Sequence, residues 1–236
     1  MKTLILCGGK GTRAYPHTLE LPKPLLHVAE QPILLHLMNI YAAQGFTDFM
    51  LAGGYRVDML AEFAERLDTG WRVEVVDTGE DADTGERVVR CRERMGETFH
   101  LTYGDGLGDV DLVALVDFHR SHPGSLTVTT VPLPSQYGTL VLDGGGRVVE
   151  FEEKPVLSDH LINAGFFVVD QVAFDHWSTP SLERDVLPAL SAAGELYAFT
   201  HRGFWKSMDT YKDALDLTEL CTGRDAPWLA RSVPAG

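Results

Sequence analysis

The chain has 236 residues, 44 % of them hydrophobic, and a formal net charge of -14. That suits one large core with elaborations rather than two equal domains, and the acidic balance disfavours a nucleic-acid partner while leaving room for a small phosphorylated ligand. Cys7, Cys91 and Cys221 sit far apart with no CxxC, which argues against a disulfide framework or a cysteine-based metal site and for a reducing cytoplasm.

No apolar run reaches transmembrane length, and MKTLILCGG lacks the apolar stretch and cleavage site of a signal peptide. The expectation is a cytoplasmic chain with no membrane partner. Residues 3–7, TLILC, read as a buried strand ending at Gly8-Gly9. Residues 32–44 carry apolar side chains at helical spacing, with Pro32 in the first turn and Gly45 past the end. FTDFMLAGGY is a second strand entering a Gly-Gly turn, 56–67 an amphipathic helix and WRVEVVDTG a third strand. A weaker helical pattern follows Gly85. TFHLTY at 98–103 is a fourth strand stopping at Gly104-Asp105-Gly106, 111–120 a short helix and 125–132 another strand.

Strand alternating with helix, with glycine-rich turns after strand ends, predicts an α/β fold with an open, mostly parallel, Rossmann-like sheet flanked by helices. Its ligands should bind beyond the carboxyl ends of the strands. The second half reads differently. GTLVLDGGGRVVEFEEKP predicts a β-hairpin around Asp-Gly-Gly-Gly, 162–169 a strand, 182–190 a helix, and 210–221 a closing helix before a polar tail. The expected organisation is one domain over 1–222, with 1–132 as nucleotide-binding core, 133–222 as a small mixed elaboration with the closing helix, and 223–236 as tail.

The stretch GGKGTRAYPHTLELPKP at 8–24 concentrates the chemistry. Glycines let backbone N–H groups approach a phosphate closely. The spacing fits neither G-x-x-x-x-G-K-[ST] nor G-x-G-x-x-G. Arg13 adds a rigid donor fork, and Lys23 a point charge fixed between prolines. Asp105, in a Gly-Asp-Gly turn after a strand, can present its carboxylate at the crevice.

The pattern GG-x-GTR-x-x-P-x-T-x-x-x-PKP resembles the signature of the sugar-1-phosphate nucleotidyltransferases. GYR at 54–56, VDTG at 76–79, YGDG at 103–106, EFEEKP at 150–155, INAGFFV at 162–168 and GFWKSMDT at 203–210 resemble stretches of its glucose-1-phosphate cytidylyltransferase branch. The resemblance runs from residue 1 to about 220. It implies attack of a sugar 1-phosphate on the α-phosphorus of a nucleoside triphosphate, with CTP and glucose 1-phosphate favoured, Mg²⁺ as cofactor and a homo-oligomer as assembly. It implies catalytic roles for Arg13, Lys23, Asp105, Lys154 and Asp209, with Asp105 and Asp209 as metal ligands. Leu6, Gly8, Gly9, Gly11, Thr12, Thr78, Gly79 and Gly104 are the implied nucleotide contacts. Gly138, Glu153, Lys154, Asn163, Gly165 and Trp205 are the implied sugar-phosphate contacts, Trp205 serving equally well as core. Glu153 and Lys154 are neighbours, so both can serve only if the strand is redirected there.

Two features depart from that branch. The connection 68–72 is short where about 20 more residues are expected, and Thr84-Gly85-Glu86-Arg87 has a carboxylate in place of a glycine. Glu86 could pair with Arg87 or repel a phosphate. The competing readings are a thymidylyl-, uridylyl- or guanylyltransferase acting on another sugar or cyclitol phosphate, a glycosyltransferase using Asp109-Val110-Asp111, and a non-catalytic nucleotide-sugar sensor. Asp109 and Asp111 look like helix caps, which counts against the glycosyltransferase. His36 reads as a core or subunit-contact histidine, and His119 and His122 as a cap or surface pair.

Overall fold

The computed structural model describes residues 1–12, 17–177, 180–223 and 226–230. Strand β1 (Lys2–Leu6) alternates its side chains between two layers: Ile5 enters one apolar cluster, Leu4 and Leu6 the other. The neighbouring strand β2 (Asp48–Gly53) repeats this with Phe49 and Leu51 against Met50 and Ala52. Strands covered on both faces read as continuous apolar runs, which is why these two were legible. Helix α1 (Ile33–Ala42) covers the first face with Leu34, Leu37, Met38 and Tyr41, all fully buried.

Helix α2 (Val57–Glu65), strand β3 (Arg72–Asp77), helix α3 (Thr84–Cys91) and strand β4 (Thr98–Tyr103) follow in the expected order. A short strand β5 (Gly106–Gly108), helix α4 (Leu112–Arg120) and strand β6 (Leu126–Pro134) close the first half. The hairpin is present as β7 (Thr139–Leu142) and β8 (Val148–Glu152), paired antiparallel. Strand β9 (Val156–Asp170) is longer than expected and inserts between β4 and β6, antiparallel to both. Helix α5 (Leu187–Ala192), strand β10 (Leu196–Thr200), strand β11 (Trp205–Ser207) and helix α6 (Tyr211–Thr222) complete these elements.

The main sheet has seven strands in the order β10-β6-β9-β4-β1-β2-β3. Only β9 opposes the rest, so the sheet is mixed, with parallel pairing from β4 through β1 and β2 to β3. The 1–132 and 133–222 portions therefore share one sheet.

One local expectation is met with a refinement and three are corrected. The segment 182–190 is helical as expected, a π-turn, Leu182–Val186, running into α5, where Pro188 lies in the first turn and has no N–H to give. The supposed polar tail places Trp228, 1 % exposed, in the core beside His36 and Phe204. An indole is too large an apolar surface to leave in water. His119 is not a surface residue: 3 % exposed, it bonds Thr127 Oγ1 at 2.8 Å and has Asp170 Oδ2 3.2 Å from its Nε2, while His122 stacks on Tyr197. His36 is buried and bonded to the Val28 carbonyl. Asp111 caps α4, whereas Asp109 pairs with His201 at 2.9 Å instead of capping.

Candidate active site

Beyond the carboxyl ends of β1 and β4 lies a cavity of about 640 Å³. The loop after β1 supplies Gly8, Gly9 and Gly11 to its wall. A Cβ on Gly8 would stand 2.0 Å from a nitrogen of the Arg87 guanidinium, so a larger residue there would have to displace that group. Gly11 has φ 61°, and a Cβ there would meet Lys23 Cβ at 2.9 Å; glycine lets this loop close onto the lysine.

Lys23 follows Pro22, whose backbone is extended, and opens a single 3₁₀ turn with Pro24. Only 9 % exposed, it directs its ammonium to two carboxylates: Asp105 Oδ2, and Asp209 Oδ1 at 3.2 Å. Two carboxylates 104 positions apart in the chain thus meet at one cation. Backbone pairing brings them there. β5 and β11 form a two-stranded antiparallel ribbon in which Ser207 faces Gly106, and Met208 N donates to Asp105 O at 2.8 Å. Gly104 permits the approach on the other side, since a Cβ would stand 2.9 Å from Leu6 O.

Asp209 is held from both directions. Ser207 Oγ donates to its Oδ2 at 2.9 Å, and its own N–H donates to Asp213 at 3.1 Å. Asp213 is the far half of a capping box with Thr210 at the start of α6, so the helix terminus fixes the loop carrying Asp209. Among the described residues, one ammonium faces two carboxylates here. A polyphosphate would need additional positive charge to settle beside it.

Arg87, in the first turn of α3, is buried, and among the described residues no carboxylate bonds it. Its guanidinium donates to the carbonyls of Gly8, Gly53, Gly79 and Glu80 and to Thr78 Oγ1, at 2.7–3.1 Å. Burial, followed by the nearby Arg90, lowers its pKa. Glu86 pairs neither with Arg87 nor with the cavity; it binds Arg90, which also donates to Thr78 O. Burial raises the Cys7 thiol pKa, with Asp105 adding to it, so the thiol stays neutral.

The opposite wall is built on β4 and β9. Gly165 has φ 78°, and a Cβ there would meet the Tyr103 ring at 2.4 Å. Asn163 Oδ1 accepts from Gly165 N at 2.8 Å, and its Nδ2 donates to Tyr103 OH at 3.2 Å. Trp205 lines the cavity and donates Nε1–H to Ala164 O at 2.8 Å, so it serves both site and packing.

Of the residues expected from sequence, Leu6, Gly8, Gly9, Gly11, Lys23, Gly104, Asp105, Asn163, Trp205 and Asp209 line this cavity together. Thr78 and Gly79 lie behind it, bonded to Arg87. Gly165 acts through Tyr103. Thr12 is exposed and absent from the lining. Gly138, Glu153 and Lys154 are on the hairpin, outside the lining; Glu153 and Lys154 are 3.8 Å apart, and the Lys154 side chain is 62 % exposed. The redirection required there is present, because Lys154 has φ 50° just past the end of β8. Arg13 lies outside the described residues. Sequence reasoning missed Tyr103, Asp83, Thr84, Glu183 and Ser207 as lining residues. No spacing signal marks them, except that Ser207 lies two positions before Asp209.

The oxygen-only pair Asp105 and Asp209, already sharing one cation, fits a hard divalent ion such as Mg²⁺. Among the described residues no group of three or more His, Cys, Asp or Glu side chains forms a metal cage. Mg²⁺ often keeps waters and substrate oxygens in its shell.

Residues 2–222 match the family model described as "Nucleotidyl transferase". The chain is 35 % identical to a glucose-1-phosphate cytidylyltransferase of Salmonella typhi over 254 aligned positions, covering 97 % of this chain and 98 % of the relative. It is 33 % identical to mannose-1-phosphate guanylyltransferase 1 of Arabidopsis thaliana, covering 90 % of this chain and 62 % of that protein. The structure of HddC from Yersinia pseudotuberculosis complexed with GMP-PN superposes with TM-score 0.71 at 21 % identity, covering 92 % of this chain and 98 % of that one, and shows the shared fold. With this extent of match over nearly its whole length, the chain belongs to the sugar-1-phosphate nucleotidyltransferase family.

Proposed function

We propose that this protein joins CTP and glucose 1-phosphate to give CDP-glucose and pyrophosphate. The observation that carries the reading is the meeting of Asp105 and Asp209 on Lys23 at the mouth of a glycine-walled cavity. The 35 % identity to a relative named for that reaction supports the choice of substrates.

In the reaction, an oxygen of the sugar phosphate forms a bond to the α-phosphorus. The α–β anhydride bond breaks, and its electron pair leaves on pyrophosphate. The nucleophile is already anionic, so no side chain needs to remove a proton. The work falls to alignment and charge compensation. Asp105 and Asp209 would hold Mg²⁺, which when bound supplies positive charge to the phosphate oxygens. Lys23 adds a fixed ammonium at the same place. Gly8, Gly9 and Gly11 leave backbone room for the nucleotide, and Asn163 and Trp205 form the wall for the sugar. Arg13 and the hairpin residues Glu153 and Lys154 are proposed as phosphate and sugar contacts. We place the protein in the cytoplasm as a homo-oligomer; among the described residues no helix is long and apolar enough to cross a membrane.

A guanylyltransferase is the alternative, favoured by the 33 % identity to a guanylyltransferase. The test is pyrophosphate release with Mg²⁺ across CTP, UTP, dTTP, GTP and ATP against glucose-, mannose- and galactose-1-phosphate. Release with CTP and glucose 1-phosphate above all other pairs is expected. Preference for GTP with mannose 1-phosphate would replace the reading by the alternative.

A further inference from the structure

Glu183 is a lining carboxylate outside the Asp105–Asp209 pair. It projects from the π-turn Leu182–Val186 into the cavity. Among the described residues no lysine or arginine forms an ion pair with it. Both oxygens are instead held by hydroxyl donors from separate elements. Tyr103 OH donates to Oε1 at 2.5 Å, and Thr84 Oγ1 donates to Oε2 at 2.7 Å. These donors are themselves fixed: Tyr103 OH accepts from Asn163, and Thr84 Oγ1 accepts from Leu182 N at 3.0 Å. Burial, and then Glu183 itself, raises the Tyr103 pKa, so the phenol stays protonated and donates.

An ionised carboxylate only accepts, and its two oxygens offer about four lone-pair sites. The two hydroxyl donors occupy part of that capacity and set its direction. The triphosphate and the sugar phosphate group present acceptor oxygens too, so like charge excludes them from this point. The complement is a neutral donor, and hydroxyl groups on a sugar ring are such donors. The bonded run Asn163–Tyr103–Glu183 ties the acceptor to the β4–β9 wall, where Asn163 and Trp205 also line the cavity, and Thr84 ties its other oxygen to the first turn of α3.

We propose that Glu183 binds ring hydroxyls of the sugar phosphate and selects for substrates that carry them, with Tyr103 and Thr84 as its positioning residues. The proposal rests on the functional reading above for the identity of the ligand. Its closing experiment is therefore a binding measurement that does not need turnover.

Glucose 1-phosphate and its 2-, 3-, 4- and 6-deoxy analogues are titrated calorimetrically into wild type, Glu183→Gln and Glu183→Ala, with and without CMP. Thermal unfolding of each variant is followed in parallel. The expected result is about tenfold weaker glucose 1-phosphate binding in Glu183→Ala, a smaller loss in Glu183→Gln, and CMP binding within twofold of wild type. At least one deoxy analogue should bind wild type about tenfold more weakly yet lose nothing further in Glu183→Ala. Unchanged glucose 1-phosphate binding, a loss confined to CMP, or a fall in Tm alone would overturn the proposal. So would a failure of wild type to bind the sugar phosphate at all. If binding follows Glu183 as stated but no nucleotide pair releases pyrophosphate, the functional reading fails and this proposal stands.

Discussion

Arg87→Met is the substitution whose cost the structure allows to be worked out most closely. The guanidinium satisfies five acceptors. Two of them keep another donor after its removal: Gly8 O accepts from Tyr55 N at 3.1 Å, and Gly53 O from Thr78 N at 2.9 Å. Thr78 Oγ1 keeps its bond to Gly53 O. The loss falls on Gly79 O and Glu80 O. Glu80 is exposed and water can replace the donor; Gly79 is half-buried and replacement is poorer. One poorly compensated carbonyl costs about 1–3 kcal/mol, and the lost charge-assisted bonds add about as much again. Against this, methionine removes the cost of burying a cation. The balance is about 3 kcal/mol, equivalent to roughly 6–12 °C in Tm for a chain of this size. Thermal unfolding and urea denaturation of purified Arg87→Met measure it. Arg87→Lys should lose nearly as much, because a point charge cannot replace the fork. A change of less than 1 °C in Arg87→Met would refute the assignment of Arg87 as the group holding Gly8, Gly53 and the 78–80 loop together.

Gly165→Ala forces a residue with a Cβ into φ 78° and into the Tyr103 ring. A destabilisation of about 3 kcal/mol is expected from the two effects together, read by urea denaturation. Stability should fall with acid, and His100 supplies part of the dependence. Burial lowers its pKa from 6.5 to about 3, so the unfolded chain takes up a proton between those values and the folded one does not. Stability is complete above pH 6.5 and declines towards pH 3, with about 2 kcal/mol lost from this group between pH 7.5 and pH 5. His100→Leu should show a shallower decline over that interval in denaturation curves at the two pH values, and a parallel decline would contradict the assignment.

The elements that cross the core were legible because burial on both faces writes itself into the sequence as apolar runs, as in TLILC and FMLAG. The hairpin was legible from its Gly-Gly-Gly turn. β9 was read only from residue 162, since its first half, VLSDHL, is exposed and polar in part and carries no burial pattern. The convergence of Asp105 and Asp209 depends on a ribbon of three residues per strand, which is too short for periodicity to reveal. Resemblance alone pointed to that pair. Arg87 was visible, but its role was not, because its partners are backbone carbonyls from three separate segments. Glu183 gave no signal: its neighbours Tyr103 and Thr84 are 80 and 99 positions away.

The central claim is that Asp105 and Asp209 act as one centre in nucleotidyl transfer. The most direct measurement is pyrophosphate release from CTP, glucose 1-phosphate and Mg²⁺ by wild type, Asp105→Asn, Asp209→Asn and the double variant. Groups that act as a unit are non-additive. Each single variant should fall by about 10²-fold or more, and the double variant should be no slower than the worse single within about threefold. Single variants that retain wild-type rates, or a double variant whose loss is the product of the two, would contradict the account.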